Sequence, residues 1–380
     1  MSHIDVRPIQ PEDMTDAFDV VSRTYRNGDT IENPESWLDG CETFVGTVDG
    51  KVLGLFQAAP MTATRGPALL SCGGIGLVCV APEARRSGLG SAMMRHYVRT
   101  TPKLLSSLYA FRETFYRKAG YEVCGKRLKI TVPVGRLARP EAELEGRLLR
   151  PESWREISEC YGVYAHQRSG LHIRDEAGWK HKLAENKRLA IYAVGDPIEA
   201  YAAVSHDSSF WNDQFISELV WSSRRGYESI LAFMHGLGIN KNGLAWNEPS
   251  DSPYYARFLD QGVQVAVERP IMFRVNRVAA ALEALKPTEE GTFSFQIRDD
   301  VVPANNGPWR VSFSPEGLTV EESAEADFVL DIRQFVQAFL GEPSLAELVQ
   351  QDMVEILSNE GLSEAMALLG ASPTVCNDFF

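Results

Sequence analysis

No apolar run in this 380-residue chain approaches the ~18 residues that a membrane-crossing helix needs, so no membrane span is expected. The opening residues Met-Ser-His-Ile-Asp-Val-Arg-Pro hold no apolar leader core either. Cys41, Cys72, Cys79, Cys124, Cys160 and Cys376 lack Cys-x-x-Cys or paired spacing, and the seven histidines do not cluster. That excludes a disulfide framework and a zinc site, fits the reduced thiols of a cytoplasmic protein, and leaves no metal expected. Lysine is missing altogether from the last quarter of the chain. Pro287 to Phe380 carries 17 acidic and 3 basic residues, so the net charge of −13 belongs to that quarter and the remainder is close to neutral. Such a balance excludes a nucleic-acid partner and favours cationic ligands by long-range attraction, unless the acid merely solubilises a surface.

What is present centres on Gly73 to Tyr97. Ile75 to Val80 is an apolar run of the kind that makes a buried strand, and Pro82 ends it because it has no N–H for a ladder. A basic turn follows, Arg85-Arg86-Ser87-Gly88-Leu89-Gly90-Ser91, and then a helical stripe of Leu89, Met93, Met94, Tyr97 and Val98. A strand feeding a glycine-bearing turn at a helix start aims several N–H groups and the positive dipole end at one spot, which suits a pyrophosphate. Glycine lets the backbone approach, and arginines add charge-assisted bonds. The run is not a dinucleotide fingerprint, lacking the third glycine and the later acidic residue, and it has no Gly-Lys-Ser/Thr.

Arg85-x-x-Gly88-x-Gly90 after a Val-x-Val-x-Pro strand resembles the acetyl-coenzyme A loop of the GNAT N-acetyltransferases. The resemblance implies that Val78, Val80, Arg85, Arg86, Ser87, Gly88, Gly90 and Ser91 hold acetyl-coenzyme A as co-substrate. Phe115-Tyr116-Arg-Lys-Ala-Gly120-Tyr121 is similar to a second segment of that family. A phenol with pKa near 10 can protonate a leaving thiolate, which makes Tyr116 the candidate general acid, against a plain packing role. Cys79 and Cys124 on strands read as inert packing rather than acetyl carriers.

The order of elements repeats. Thr43–Val48 and Val52–Ala58, joined at Asp49-Gly50, form a hairpin before the central strand, and Leu104–Phe111 forms a strand after the helix. From Leu148 onward come an Arg-Pro strand, a helix, a hairpin turning at Gly195, a strand Phe215–Trp221, and Arg224-Arg225-Gly226-Tyr227 opening a helix. An internal duplication is expected. The second turn has no second glycine, and Tyr227 and Glu228 stand where phosphate would approach, so this copy is expected to bind no coenzyme A. After Lys286 the strands come first and the helices later, an α+β module.

Two GNAT-like domains and an acidic α+β module resemble the Eis-like (enhanced intracellular survival) acetyltransferases, whose third domain is similar to a sterol carrier protein. The expected class is therefore α/β and α+β: a catalytic domain over residues 1–145, a degenerate GNAT-like domain over 146–286 and a sterol-carrier-protein-like domain over 287–380. The resemblance implies transfer of acetyl to a primary amine of a cationic molecule (aminoglycoside- or polyamine-like) or lysine. It also implies a homo-oligomer, possibly a hexamer, and a C-terminal carboxylate, here that of Phe380, as base. Without it, a frayed terminus is the default. Competing readings are peptide-bond-forming or myristoyl transferases with twin folds, and a lipid-binding carrier whose acetyltransferase half senses coenzyme A.

Overall fold

The computed structural model describes residues 3–29, 31, 33–184, 189–205, 213–269 and 271–378. The first part runs β1 (Ile4–Pro8), α1 (Met14–Tyr25), β2 (Glu42–Val48), β3 (Lys51–Arg65), β4 (Ala68–Val80), α2 (Leu89–Thr100), β5 (Leu105–Tyr109), α3 (Glu113–Arg117) and β6 (Glu122–Val123). The second runs β7 (Arg127–Pro133), β8 (Gly146–Leu149), α4 (Trp154–Ala165), β9 (Ser169–His172), α5 (Glu176–Ala184), β10 (Leu189–Val194), β11 (Ala200–Ser205), β12 (Gln214–Trp221), α6 (Arg224–Leu237), β13 (Gly243–Pro249), α7 (Pro253–Arg257) and β14 (Gln264–Glu268). The chain then passes through β15 (Ile271–Val275) and α8 (Val278–Glu283). It ends in β16 (Gly291–Arg298), β17 (Trp309–Ser314), β18 (Gly317–Glu322), β19 (Phe328–Asp331), α9 (Ile332–Leu340), α10 (Leu345–Gln350), β20 (Glu355–Ile356) and α11 (Leu362–Leu368).

Three sheets result, ordered β1-β2-β3-β4-β5-β15-β6 with β9 on β3, then β14-β7-β13-β12-β11-β10-β8, then β18-β17-β16-β19-β20. The two halves repeat one plan, for in each a hairpin leads to a central strand that runs parallel to the next strand, β4 with β5 and β12 with β13. α2 lies directly on its sheet because Leu89, Met93, Met94, Tyr97 and Val98 form one buried face. Gly54 permits the close approach, since a Cβ there would sit 2.9 Å from Met93 Sδ. Each fully buried side chain of this size contributes roughly 1.5–3 kcal/mol.

Each of the first two sheets takes strands from beyond its own stretch of chain, and β9 of the second half pairs with β3 of the first. β7 precedes residue 145 yet pairs with β13 and β14 in the second sheet. β15 follows the second half yet inserts antiparallel between β5 and β6, with Ile271 opposite Tyr109 and Met272 opposite Val123. The boundary expected at 145 is thus crossed by three strands, β7, β9 and β15. Alternating residues announce a strand but not its partner, which here is chosen across a long sequence separation. α8 likewise packs Val278, Ala281 and Leu282 into the core shared with Phe293, Phe295 and Phe335.

Where the pieces meet, Arg274 of β15 and Asp299 of the third part are both fully buried and paired at 2.5 Å. Asp299 also accepts from the backbone of Val301 and Val302 and from the Asn305 amide. The guanidinium fills the space above Gly120 (φ +81), where a Cβ would lie 1.6 Å from Arg274 Nη1. Burial pulls the Arg274 pKa down while Asp299 pushes it up. Removing one partner of a buried pair leaves an uncompensated charge. Arg274→Met should therefore cost about 3–5 kcal/mol, read as a lowered urea midpoint for the transition that includes the third part. An unmoved midpoint would show that the junction does not depend on this pair.

Candidate active site

The parallel pairing of β4 with β5 covers only Cys72–Ile75 against Leu105–Leu108. Just beyond, the register of β3 against β4 shifts: Gln57 faces Gly76 and Leu55 faces Cys79, so Leu77 and Val78 share the partner Phe56. Leu77 takes φ +50, a left-handed conformation costing roughly 1–2 kcal/mol for such a residue. This bulge turns β4 away from β5, and a wedge opens between them. Ala81 N–H bonds Leu53 on the β3 side. By alternation the Val80 N–H points into the wedge.

A cleft of about 1040 Å³ occupies the wedge. Val78, Val80, Arg85, Arg86, Gly88, Gly90 and Ser91 all line it; Ser87 does not, and instead accepts the Leu89 N–H at 3.3 Å. Gly88 caps α2 at φ +95 with no side-chain cap, so no side chain of the described residues occupies the Gly90 and Ser91 N–H groups. Added to Arg85 and Arg86, this is a cradle for an anion. The sequence reading missed the opposite wall, formed by Phe111, Arg112, Thr114, Phe115 and Lys118, and the end of α1. Tyr25 belongs there, and its hydroxyl donates to the Val78 carbonyl at 3.1 Å. An exposed tyrosine on an otherwise apolar helix face was the one available signal for it.

Tyr116 is 2% exposed and stands behind this wall, its ring edge-on to Phe111, Phe115 and Tyr121. Burial, with a smaller contribution from the Tyr25 phenol, pushes its pKa above the ordinary tyrosine value. Burial also pushes the Cys79 thiol up to about 11, so it stays protonated. Glu83 and Glu113 are engaged by Arg23 and Arg117.

The second half shows how the corresponding helix start can be closed. β12 and β13 pair only from Gln214–Leu244 to Ile216–Trp246 before they part. Tyr227, expected at the phosphate position, turns inward instead; it is fully buried against Trp221 and donates its hydroxyl to Glu248 Oε1 at 2.7 Å. Trp246 and Ser252 donate to the same carboxylate. At the helix start Ser223 Oγ takes the Gly226 N–H at 2.9 Å, and Glu199 engages Ser223 and Arg225. Glu228 is bridged by Arg224 and Arg257. Cap and cations are used internally, and what remains between β12 and β13 is a cavity of about 210 Å³ that Ser217, Leu219 and Asn247 line.

The described residues before the chain end reach the end of β5, where Tyr109, Cys376 and Asn377 line the same cavity. The Ser169 N–H donates to the Pro373 carbonyl at 2.9 Å, and the Val375 N–H donates to the Ser169 carbonyl at 3.0 Å. Tyr109, at the end of β5, donates its hydroxyl to the Asp378 carbonyl at 2.7 Å, and Arg174 holds the Asp378 carboxylate at 2.7 Å. Burial pushes that carboxyl up, but Arg174 and Lys182 outweigh it and hold it below the usual range. Phe380 lies outside the described residues.

Residues 5–124 match the profile of the acetyltransferase (GNAT) domain, and residues 278–377 that of the sterol carrier protein domain. An uncharacterised N-acetyltransferase of Streptomyces avermitilis is 24% identical over 97% of each chain. A GCN5-related N-acetyltransferase from Anabaena variabilis superposes with TM-score 0.86 at 20% identity, over 100% of both chains. Eis1 from Mycobacterium abscessus superposes with TM-score 0.81 at 20% identity, again over 100% of both.

One coenzyme A should bind per chain. Gly88→Val should lower its affinity at least ~10-fold, through the positive φ rather than a clash, since the nearest atom to an added Cβ is Ile4 Cδ1 at 3.9 Å. Calorimetric titration showing two sites per chain would overturn the reading of the second wedge.

Proposed function

We propose that this chain, an N-acetyltransferase of the GNAT family built on the Eis-like plan, moves the acetyl group of acetyl-coenzyme A to a primary amine. The acceptor is a cationic small molecule, aminoglycoside- or polyamine-like, or a lysine. The observation that carries the reading is the contrast between the two helix starts, one opening on a cleft of about 1040 Å³ with unused N–H groups and cations at its mouth, the other capped from within with its cations paired.

The reaction has three requirements. The thioester carbonyl must be polarised, the attacking nitrogen must be neutral, and the departing thiolate needs a proton. Backbone N–H groups of Val78 and Val80 serve the first, in a strand end with no neighbour on the β5 side. Tyr116 serves the third, since a phenol is protonated at neutral pH and its proton can pass to the thiolate as the C–S bond breaks. The carboxylate of Phe380 serves the second. Support for it comes from Asp378, fixed beside Tyr109, after which two residues span at most roughly 7 Å. The excess of acid over base in the sequence favours approach of a cationic acceptor.

A lipid-carrier reading needs room inside the third part. There Phe295 stacks on Phe335 at 5.6 Å and on Phe328 at 6.1 Å, and Phe293 on Phe328 at 6.1 Å. Those rings fill the layer between sheet and helix.

Incubation with radiolabelled acetyl-coenzyme A and a panel of polyamines, aminoglycosides and lysine peptides should yield labelled amide. Release of free acetate alone, with no acceptor labelled, would sink the transferase assignment of this cleft. Tyr116→Phe keeps the ring and removes the proton, so turnover should fall ~10²–10⁴-fold while coenzyme A affinity holds. Unchanged turnover would assign Tyr116 to packing. Deleting Phe380, or extending the chain past it, displaces the carboxylate by more than 3 Å, beyond hydrogen-bond reach. Both proteins should bind acetyl-coenzyme A normally and transfer poorly. Equal turnover at equal thermal stability would send the search for the base elsewhere.

A further inference from the structure

The last described residue is gripped by charges that belong to the second half. Arg174 follows β9, and its side chain is 5% exposed, while that of Glu218 on β12 is 2% exposed. Two guanidinium nitrogens take the Glu218 carboxylate, Nη2 to Oε1 at 2.6 Å and Nη1 to Oε2 at 3.3 Å. The third, Nε, reaches Asp378 Oδ1 at 2.7 Å. The guanidinium also lies over the rings of Tyr161 at 4.4 Å and Trp179 at 4.6 Å, so ring faces as well as acids define its place. Lys182 of α5 bridges the same two acids, 3.2 Å from Glu218 and 3.5 Å from Asp378. Arg174 and Lys182 thus balance Glu218 and Asp378, and the second acid comes from 204 positions along the chain.

The backbone of that acid is fixed as well. The Asp378 carbonyl accepts from the Tyr109 hydroxyl at 2.7 Å and from the Cys376 thiol at 3.3 Å. Upstream, the Thr374 N–H donates to Glu342 at 2.8 Å, and its hydroxyl donates to the Leu340 carbonyl at 3.0 Å. All three parts of the fold therefore hold a segment that would ordinarily fray, since ordering a terminus brings little in return. A tail that needed only packing would be served by Val375 and Cys376, both already buried. Burying a carboxylate against a guanidinium costs desolvation that apolar packing does not, so the pair suits a demand for one position better than a demand for stability.

We propose that Arg174 is a positioning residue for acetyl transfer: braced on Glu218, it grips Asp378 and so sets where the carboxylate of Phe380, two residues on, meets the acceptor amine. This rests on the reading of that carboxylate as base. It gives the second half, whose own helix start is capped, a part in the chemistry of the first. Arg174 acts through the tail and not on the reacting atoms. Misplacing a reacting group by about 1 Å can cost ~10²-fold in rate, so a slack tail turns over slowly even when its carboxylate is still present.

Asp378→Asn keeps the shape and removes the charge that Arg174 holds. Its turnover should fall ~10–100-fold, while its affinity for acetyl-coenzyme A by calorimetric titration stays within about 3-fold, which also reports that it is folded. Tyr109→Phe frees the Asp378 carbonyl and should lose turnover in the same direction, by ~3–10-fold. The decisive protein carries Asp378→Asn in a chain that lacks Phe380. If the grip acts only through the carboxylate, this double variant is no slower than the Phe380 deletion alone. Carboxypeptidase digestion gives a reading apart from activity: Asp378→Asn should release its terminal phenylalanine at least ~10-fold faster than the native chain. Losses that add in the double variant, or turnover and release both unchanged in Asp378→Asn, overturn the positioning role alone. A Phe380 deletion as fast as the native chain overturns the base reading, and the positioning role with it.

Discussion

A late strand holds this structure's working end in place. β15 arrives after the whole second half and enters the first sheet between β5 and β6, pairing all five of its residues with β5. Without it β5 would be an unprotected edge, and the segment from α3 to β6 would have nothing to lie on. The same strand brings Arg274 beneath Gly120 and ties it to Asp299, so one element connects the wall of the cleft to the third part. β7 makes the reciprocal move into the second sheet. Neither of the first two sheets is complete without the other's length of chain.

Within that frame a duplicated plan has reached two opposite outcomes. Both central strands part from their parallel neighbour after a few residues, because a twisted strand with a bulge cannot stay in register. What then fills the gap is decided by single side chains. At Gly88 the helix start has no side chain, and the space remains open. In the second copy Ser223 satisfies the helix start, and Tyr227 reaches across to Glu248. A buried carboxylate without a cation is stable there only because several donors converge on it, and even so burial holds its pKa up.

The tail and the charges follow the same economy. Arg174 is buried under Glu218 and Asp378 and stacked over Tyr161 and Trp179, so the end of the chain is anchored by a cation belonging to the second half. Arg168, Arg225, Arg257 and Arg274 are likewise spent on neighbouring acids. Against that background the unspent cations of the first cleft stand out as the ones available to an anionic ligand.

Much of this was legible in the residues. Gly88 and Gly90 after a strand that ends at Pro82 marked an uncapped helix start, because local chemistry decides it: a positive φ and a missing cap come from one short run. The hairpin at Asp49-Gly50, the repeated order of elements and the acidic α+β ending were local in the same sense. The partners of β7 and β15 were not legible, since alternation sets which face a strand buries but not which sheet it joins. Nor was the inward turn of Tyr227, or the place of Tyr25, Phe111, Arg112 and Lys118 on the cleft. Those residues meet only after β4 and β5 diverge, and that divergence depends on a bulge at Leu77 and on a strand from far along the chain. Sequence by itself determined the local geometry of the loop and the class of each part; the tertiary structure decided which helix start opens on a cleft and what faces it, because contacts between distant segments follow from packing and not from any pattern within them.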